Sequence, residues 1–193
     1  MTKRIVLIQG HPDARTSRFG HLLADAYAQA AQAAGHEVRR LVVAELEFPL
    51  LRSREDYETG KPPEAIQQCQ QAIAWAEHLV ILFPLWLGEM PALLKAFLEQ
   101  VLRPGFAYRT GDSGRMQKLL TGKSARIVVT MGMPAFFYRW YFGAHGLKNL
   151  QRNILGFCGV RPVRASLIGM IEGPAGRCEA WLERMRALGR EAG

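Results

Sequence analysis

The chain has 193 residues, 49% of them hydrophobic, and carries a formal charge of +8 from 25 Lys+Arg against 17 Asp+Glu. That length suits a single domain, 1–193, with a substantial core, and no apolar run approaches the ~18–20 residues of a membrane span. The basic balance draws anions, but the charges are spread singly and match no nucleic-acid-binding module, while three scattered cysteines form neither a metal pattern nor a disulfide framework.

The start, Met1 to Ile5, lacks a small-residue cleavage site and reads as the lead into a strand rather than a signal peptide. A reducing cytoplasm is the expected compartment. Arg4 to Gln9 holds the continuous apolar run Ile5-Val6-Leu7-Ile8, the pattern of a strand buried on both faces in a parallel sheet. Gly10 opens a loop to Thr16 or Ser17, and a helix follows to about Ala34, with Gly35 as its stop. Glu37 to Val43 is the second strand. Glu45 to Pro63 is a long irregular connection broken by Pro49, Gly60, Pro62 and Pro63, and a loop of that length in a compact domain is more often functional than idle.

Glu64 to Glu77 is helical, Leu79 to Phe83 is the third strand, and Pro91 opens a helix to Leu102. Arg103 to Lys123 is a second long loop. Ala125 to Met131 is the fourth strand. Gly132 to Gly143 is crowded with aromatic residues and resists assignment. A helix spans Leu147 to Phe157, Val163 to Ile168 is the fifth strand, and a last helix runs from Pro174 to about Arg190. Strands alternating with helices imply one parallel sheet covered on both faces, with the order 2-1-3-4-5 and a switch point between strands 1 and 3. The loops after strands 1, 3 and 4 then border one crevice.

Each of those loops carries chemistry. Gly10-His11-Pro12 leads to Thr16-Ser17-Arg18-Phe19 at a helix start, where backbone N–H groups and the helix dipole bind phosphate. Ordinary helix capping by Ser or Thr is the competing reading. After strand 3, Phe83-Pro84-Leu85-Trp86-Leu87-Gly88 is an apolar loop at a ligand-binding edge, which calls for a flat apolar partner such as an isoalloxazine ring, or for packing under another loop. After strand 4, Thr130-Met131-Gly132-Met133 offers hydroxyl and backbone donors beside a glycine that lets backbone approach a ring. There is no GxGxxG after the first strand, Gly122-Lys123-Ser124 lacks the rest of a P-loop, and nothing points to a metal.

The ordered set resembles the NAD(P)H dehydrogenase (quinone) family of flavodoxin-like flavoproteins over nearly the whole chain. Its landmarks are Gly10-His11-Pro12 with Ser17, Trp75-Ala76-Glu77-His78, Phe83-Pro84-Leu85-Trp86 with Met90-Pro91-Ala92-Leu93-Leu94-Lys95, Pro104-Gly105-Phe106-Ala107-Tyr108, Thr130 with Gly132, and Phe157-Cys158-Gly159. The resemblance implies a flavodoxin-like three-layer sandwich and a homodimeric flavoprotein. FAD is the expected cofactor, FMN the alternative, and NAD(P)H the co-substrate. Two electrons would pass by ping-pong exchange to a quinone sharing the NAD(P)H pocket.

By that resemblance His11, Thr16, Ser17, Arg18 and Phe19 hold the flavin phosphates. Pro84, Leu85, Trp86 and Leu87 pack on the ring, and Thr130, Met131, Gly132 and Met133 meet its polar edge. Tyr138, with Tyr141 as its rival, and His145 stand by the flavin as catalytic residues, and Tyr108 reaches into the partner subunit's pocket. Azo, nitro or free-flavin reduction on the same fold is the alternative activity. An ancillary role toward a potassium-efflux transporter is another, since some relatives of the family serve one.

Overall fold

The structure is a computed structural model and describes residues 2–15, 18–111, 114–173 and 175–193. Five strands build the main sheet: β1 (Arg4–Gln9), β2 (Glu37–Val42), β3 (His78–Pro84), β6 (Ser124–Thr130) and β7 (Val163–Ile168). Their order is β2-β1-β3-β6-β7, and every pairing is parallel. Counted within this sheet, the order is the expected 2-1-3-4-5. The long connection after residue 103 holds something the apolar pattern did not disclose. There β4 (Tyr108–Thr110) and β5 (Met116–Lys118) form an antiparallel ribbon. Both strands are three residues long and largely exposed, so neither leaves a hydrophobic period to read.

The helices are α1 (Phe19–Ala33), α2 (Arg54–Glu58), α3 (Glu64–Trp75), α4 (Ala92–Val101), α5 (His145–Asn149), α6 (Gly156–Cys158) and α7 (Ala175–Glu191). Among the described residues no helix is long and apolar enough to cross a membrane. The end of α1 forms a Schellman turn. Gly35 takes φ +86°, its N–H reaches the Gln32 carbonyl at 2.9 Å, and the His36 N–H reaches that of Ala31 at 3.0 Å. Two widened, π-helical segments, Phe137–Tyr141 and Leu150–Leu155, flank α5. The helix expected over Leu147 to Phe157 therefore starts earlier, at His145, and is π-helical through its middle.

Successive strand residues feed two separate apolar clusters. Val6, Ile8, Leu79, Ile81, Ile127 and Val129 belong to one, together with Ile66 and Ile73 of α3 and Leu94 and Phe97 of α4. Ile5, Leu7, Val80, Leu82 and Val128 belong to the other, with Leu23 and Tyr27 of α1 and Met185 of α7. Each fully buried side chain of this kind stabilises the fold by about 2 kcal/mol relative to leaving it exposed. Helices α1 and α7 pack so closely that a Cβ on Gly189 would stand 2.3 Å from the Tyr27 carbonyl oxygen. The connection from residue 45 to 63 is tied down. Buried Arg103 donates to the Asp56 and Gly60 carbonyls, both at 2.7 Å, and the Gln100 amide to that of Pro49 at 2.6 Å.

Candidate active site

The carboxyl ends of β1, β3 and β6 are laced together where their loops depart. The Gly10 N–H donates to the Leu82 carbonyl and the Leu85 N–H to that of Thr130, both at 2.7 Å. Gly10 allows the first approach, since a Cβ there would lie 2.6 Å from the Leu94 Cδ2. The three loops named from the sequence thus open side by side, at the edge where open α/β sheets bind ligands.

In the loop after β1, the His11 Nδ1 accepts from the Asp13 N–H at 3.0 Å, and the His11 N–H donates to the Gln9 Oε1 at 3.2 Å. Burial, reinforced by nearby His21, lowers the His11 pKa. A neutral His11 accepting at Nδ1 carries its proton on Nε2, which leaves that nitrogen as a donor. Buried His21 in turn donates from Nε2 to the Asp13 carbonyl at 2.9 Å. Asp13 is the residue the sequence reading missed. Its carboxylate takes the Arg15 Nη2 at 2.6 Å and the Arg18 Nε at 3.0 Å. Those contacts, Arg15's foremost, hold its carboxyl well below the usual range. An aspartate two residues before one arginine and five before another was the available signal.

Arg18 is the first flanking residue of α1 and has extended backbone, φ −74° and ψ 139°, with no side-chain cap on the helix. Backbone N–H groups at such an end are the donors that suit an anion. Thr16 and Ser17 lie outside the described residues. Phe19 is half-buried and packs against the α1/α7 cluster.

The loop after β3 folds back on itself. Trp86 and Glu89 exchange N–H to carbonyl hydrogen bonds of 2.9 Å in both directions. Leu87 and Gly88 between them take φ +48° and +81°. A leucine in the left-handed region is a strained choice. Its side chain is fully exposed, at 107%, and Trp86 is half-exposed. Pro84 and Leu85 are half-buried, and Leu85 packs on the first cluster.

In the loop after β6, Gly132 is exposed and has nothing within 4 Å of where a Cβ would stand. Met133 is partly exposed and Thr130 buried. The Met131 side chain is buried in the first cluster, its N–H is given to the Ile168 carbonyl at 2.8 Å, and its carbonyl accepts from the Ile171 N–H at 3.4 Å.

Tyr138 and His145 stand apart in kind. Tyr138 is only 2% exposed. Its hydroxyl accepts from the Leu147 N–H at 3.1 Å and donates to the Gly88 carbonyl at 3.3 Å. The hydroxyl ties the Trp86–Glu89 turn to the start of α5. The rival Tyr141 is 77% exposed and packs edge-on against Phe142. His145 is exposed at the start of α5, after Ala144 in the left-handed region at φ 47°. The next residue, Gly146, sits so close to the turn that a Cβ would lie 2.4 Å from the Gly88 carbonyl oxygen. The same turn therefore brings His145 beside the loop after β3. Tyr108 lies elsewhere in its own chain, in a hollow of about 240 Å³ with Lys95 and Cys158. Its hydroxyl bonds that of Tyr57 at 2.8 Å, and its ring meets Phe157 edge-on.

Residues 3–188 match the sequence profile of the flavodoxin-like fold family. The chain belongs to that family. It sits there among NAD(P)H oxidoreductases and quinone reductases. An uncharacterized NAD(P)H oxidoreductase of Haemophilus influenzae is 31% identical over 86% of this chain and 83% of its own length. The NAD(P)H dehydrogenase [quinone] 1 of Rattus norvegicus is 27% identical over 98% of this chain and 79% of its own. Among solved structures, an FMN-dependent NADH-azoreductase from Bacillus anthracis in complex with FMN superposes with a TM-score of 0.78. It covers 100% of this chain and 99% of its own at 15% identity, a likeness of fold.

The crevice residues fit a flavin. Exposed Trp86, Leu87 and Met133 offer apolar surface to a flat ring, open Gly132 leaves room at its margin, and His11, Arg18 and the start of α1 form a donor set suited to phosphate.

Proposed function

We propose that the chain is a flavin-dependent NAD(P)H:quinone oxidoreductase that transfers two electrons by ping-pong exchange through one shared pocket. The observation that carries this reading is the exposed apolar turn Trp86–Glu89 beside open Gly132, on the ligand-binding edge of the sheet. When bound, a flavin supplies the capacity to take up and give back a hydride. The residues divide the remaining work. His11, Arg18 and Phe19, with Thr16 and Ser17 by resemblance, hold the phosphate end. Pro84, Leu85, Trp86 and Leu87 bear the ring and exclude water from it. Thr130, Gly132 and Met133 serve its polar edge. His145 donates a hydrogen bond to the acceptor oxygen as negative charge develops there. Tyr138 acts by position alone.

FAD is the flavin proposed, with FMN the alternative that the solved azoreductase favours; chromatography of flavin released from the purified protein separates them. The working unit proposed is a homodimer. In the aromatic run from Phe136 to Phe142, Phe137, Tyr141 and Phe142 lie outside any hollow and form an exposed patch too large for a monomer's surface. Tyr108 and Phe157 would then wall the partner's pocket. The separate α3/α4 and α1/α7 clusters support a three-layer reading with helices on both faces of the sheet.

The test is kinetic and spectroscopic. With NADPH and menadione, initial-rate lines are expected to run parallel, and anaerobic NADPH is expected to bleach the flavin bands. Intersecting lines would refute the shared pocket, and bound flavin that NADPH cannot bleach would refute the reductase. The azo-reductase reading is favoured by the Bacillus anthracis structure. It wins if an azo dye is turned over with a higher kcat/KM than any quinone.

A further inference from the structure

We infer that the chain has a second binding site, at the β7 edge of the sheet, for a small organic anion with a flat aromatic body. The site is a hollow of about 930 Å³, within the size range of small-molecule sites. Four cations line it: Arg126 of β6, Arg139, Lys148 of α5 and Arg184 of α7. Among the described residues no aspartate or glutamate lines it.

Arg126 is the centre of the argument. It is 7% exposed, on the same face of β6 as Val128 and opposite to Ile127. Nη1 donates to the Ser166 hydroxyl of β7 at 3.0 Å, and Nε is buried with no hydrogen-bond partner. Among the described residues no carboxylate comes within ion-pair distance of it. Burial lowers its pKa; Tyr27 acts against that, Arg164 and Arg184 add repulsion, and Glu191 offsets part of it from a distance. A guanidinium has five donors and no acceptor, so a buried one is normally matched by an anion. Its planar fork suits a carboxylate, sulfonate or phosphate.

The aromatic part of the ligand follows from the walls. Trp140, Trp181 and Phe136 line the hollow, with Trp140 78% exposed. Each indole has a neighbouring guanidinium near its face, Arg139 at 5.7 Å from Trp140 and Arg184 at 5.8 Å from Trp181. A flat ring stacked between such groups, with its anionic end toward Arg126, satisfies both halves of the lining. The anion-binding centre of this site is set back from the proposed flavin crevice. Arg126 precedes Thr130 by four strand residues, a rise of about 13 Å away from the carboxyl edge.

The probe is 8-anilinonaphthalene-1-sulfonate, titrated calorimetrically into the flavin-loaded full chain. Its uncharged analogue N-phenyl-1-naphthylamine is the control. One sulfonate per chain is expected, bound at least tenfold more tightly than the amine. Arg126→Met is expected to weaken the sulfonate at least tenfold and Arg184→Met several-fold, with flavin affinity unchanged in both. Should Arg126→Met fail to fold, Arg184→Met and the salt dependence of sulfonate binding carry the test. Equal binding of sulfonate and amine, or no loss in the arginine variants, would reduce the site to an apolar patch and overturn the inference.

Discussion

His78 is buried at the amino end of β3, its Nδ1 2.7 Å from the Ser124 hydroxyl and its Nε2 without a partner. Burial, with repulsion from Lys3, Arg126 and Arg164, pulls its pKa down to about 4. The folded chain then holds fewer protons than the unfolded chain between pH 6.5 and about 4. Stability from the neutral imidazole is complete above 6.5 and is lost as the pH falls, by up to about 1.4 kcal/mol per unit and about 3 kcal/mol in total. Urea denaturation at pH 7 and pH 4.5 is expected to show this loss in the parent and much less of it in His78→Gln. Tyr138 is the complementary case, a group whose worth is positional. Tyr138→Phe strips the Leu147 N–H and the Gly88 carbonyl of their shared partner. A loss of about 1–3 kcal/mol is expected, read by denaturation. The pH profile of kcat should keep its shape; a lost ionisation limb would mean that the hydroxyl takes part in proton transfer after all.

At the scale of elements, contact between α1 and α7 rests on the missing side chain of Gly189. Gly189→Ala drives a methyl into the Tyr27 carbonyl, and a loss of about 2 kcal/mol is expected by thermal or urea unfolding, with flavin binding untouched. The buried strands were legible as short continuous apolar runs and the main helices as periodic apolar stripes, and Gly35 marked the end of α1. The β4–β5 ribbon left none, being held by its ladder and by polar contacts such as Arg109 to Gln117 at 2.7 Å. The aromatic run defeated pattern reading for another reason. Residues 136, 137, 138, 140, 141 and 142 are all aromatic, and only Tyr138 is buried. A widened backbone there obeys no 3.6-residue period, so composition alone could not say which ring turns inward. The crevice loops were foreseeable because strand order decides which loops meet, whereas the pairing of Asp13 with Arg15 and Arg18 depends on how one short loop curls.

For the whole molecule, the +8 charge and the aromatic run point the same way: this surface is built to meet other chemistry, anionic in one place and apolar in another. The division of the sheet's side chains into two clusters also bears on how damage spreads. Val128 and Val129 are joined by one peptide bond, yet their methyl groups lie in different clusters. A void opened at Val128 can be relieved by α1 or α7, and one at Val129 by the α3 and α4 side. Val128→Ala and Val129→Ala are each expected to cost about 2 kcal/mol, and the double variant their sum to within about 0.5 kcal/mol. Val128→Ala with Leu82→Ala, two residues of one cluster, should depart from additivity. Sequence neighbours in this sheet are then expected to fail independently, and residues 46 positions apart to fail together.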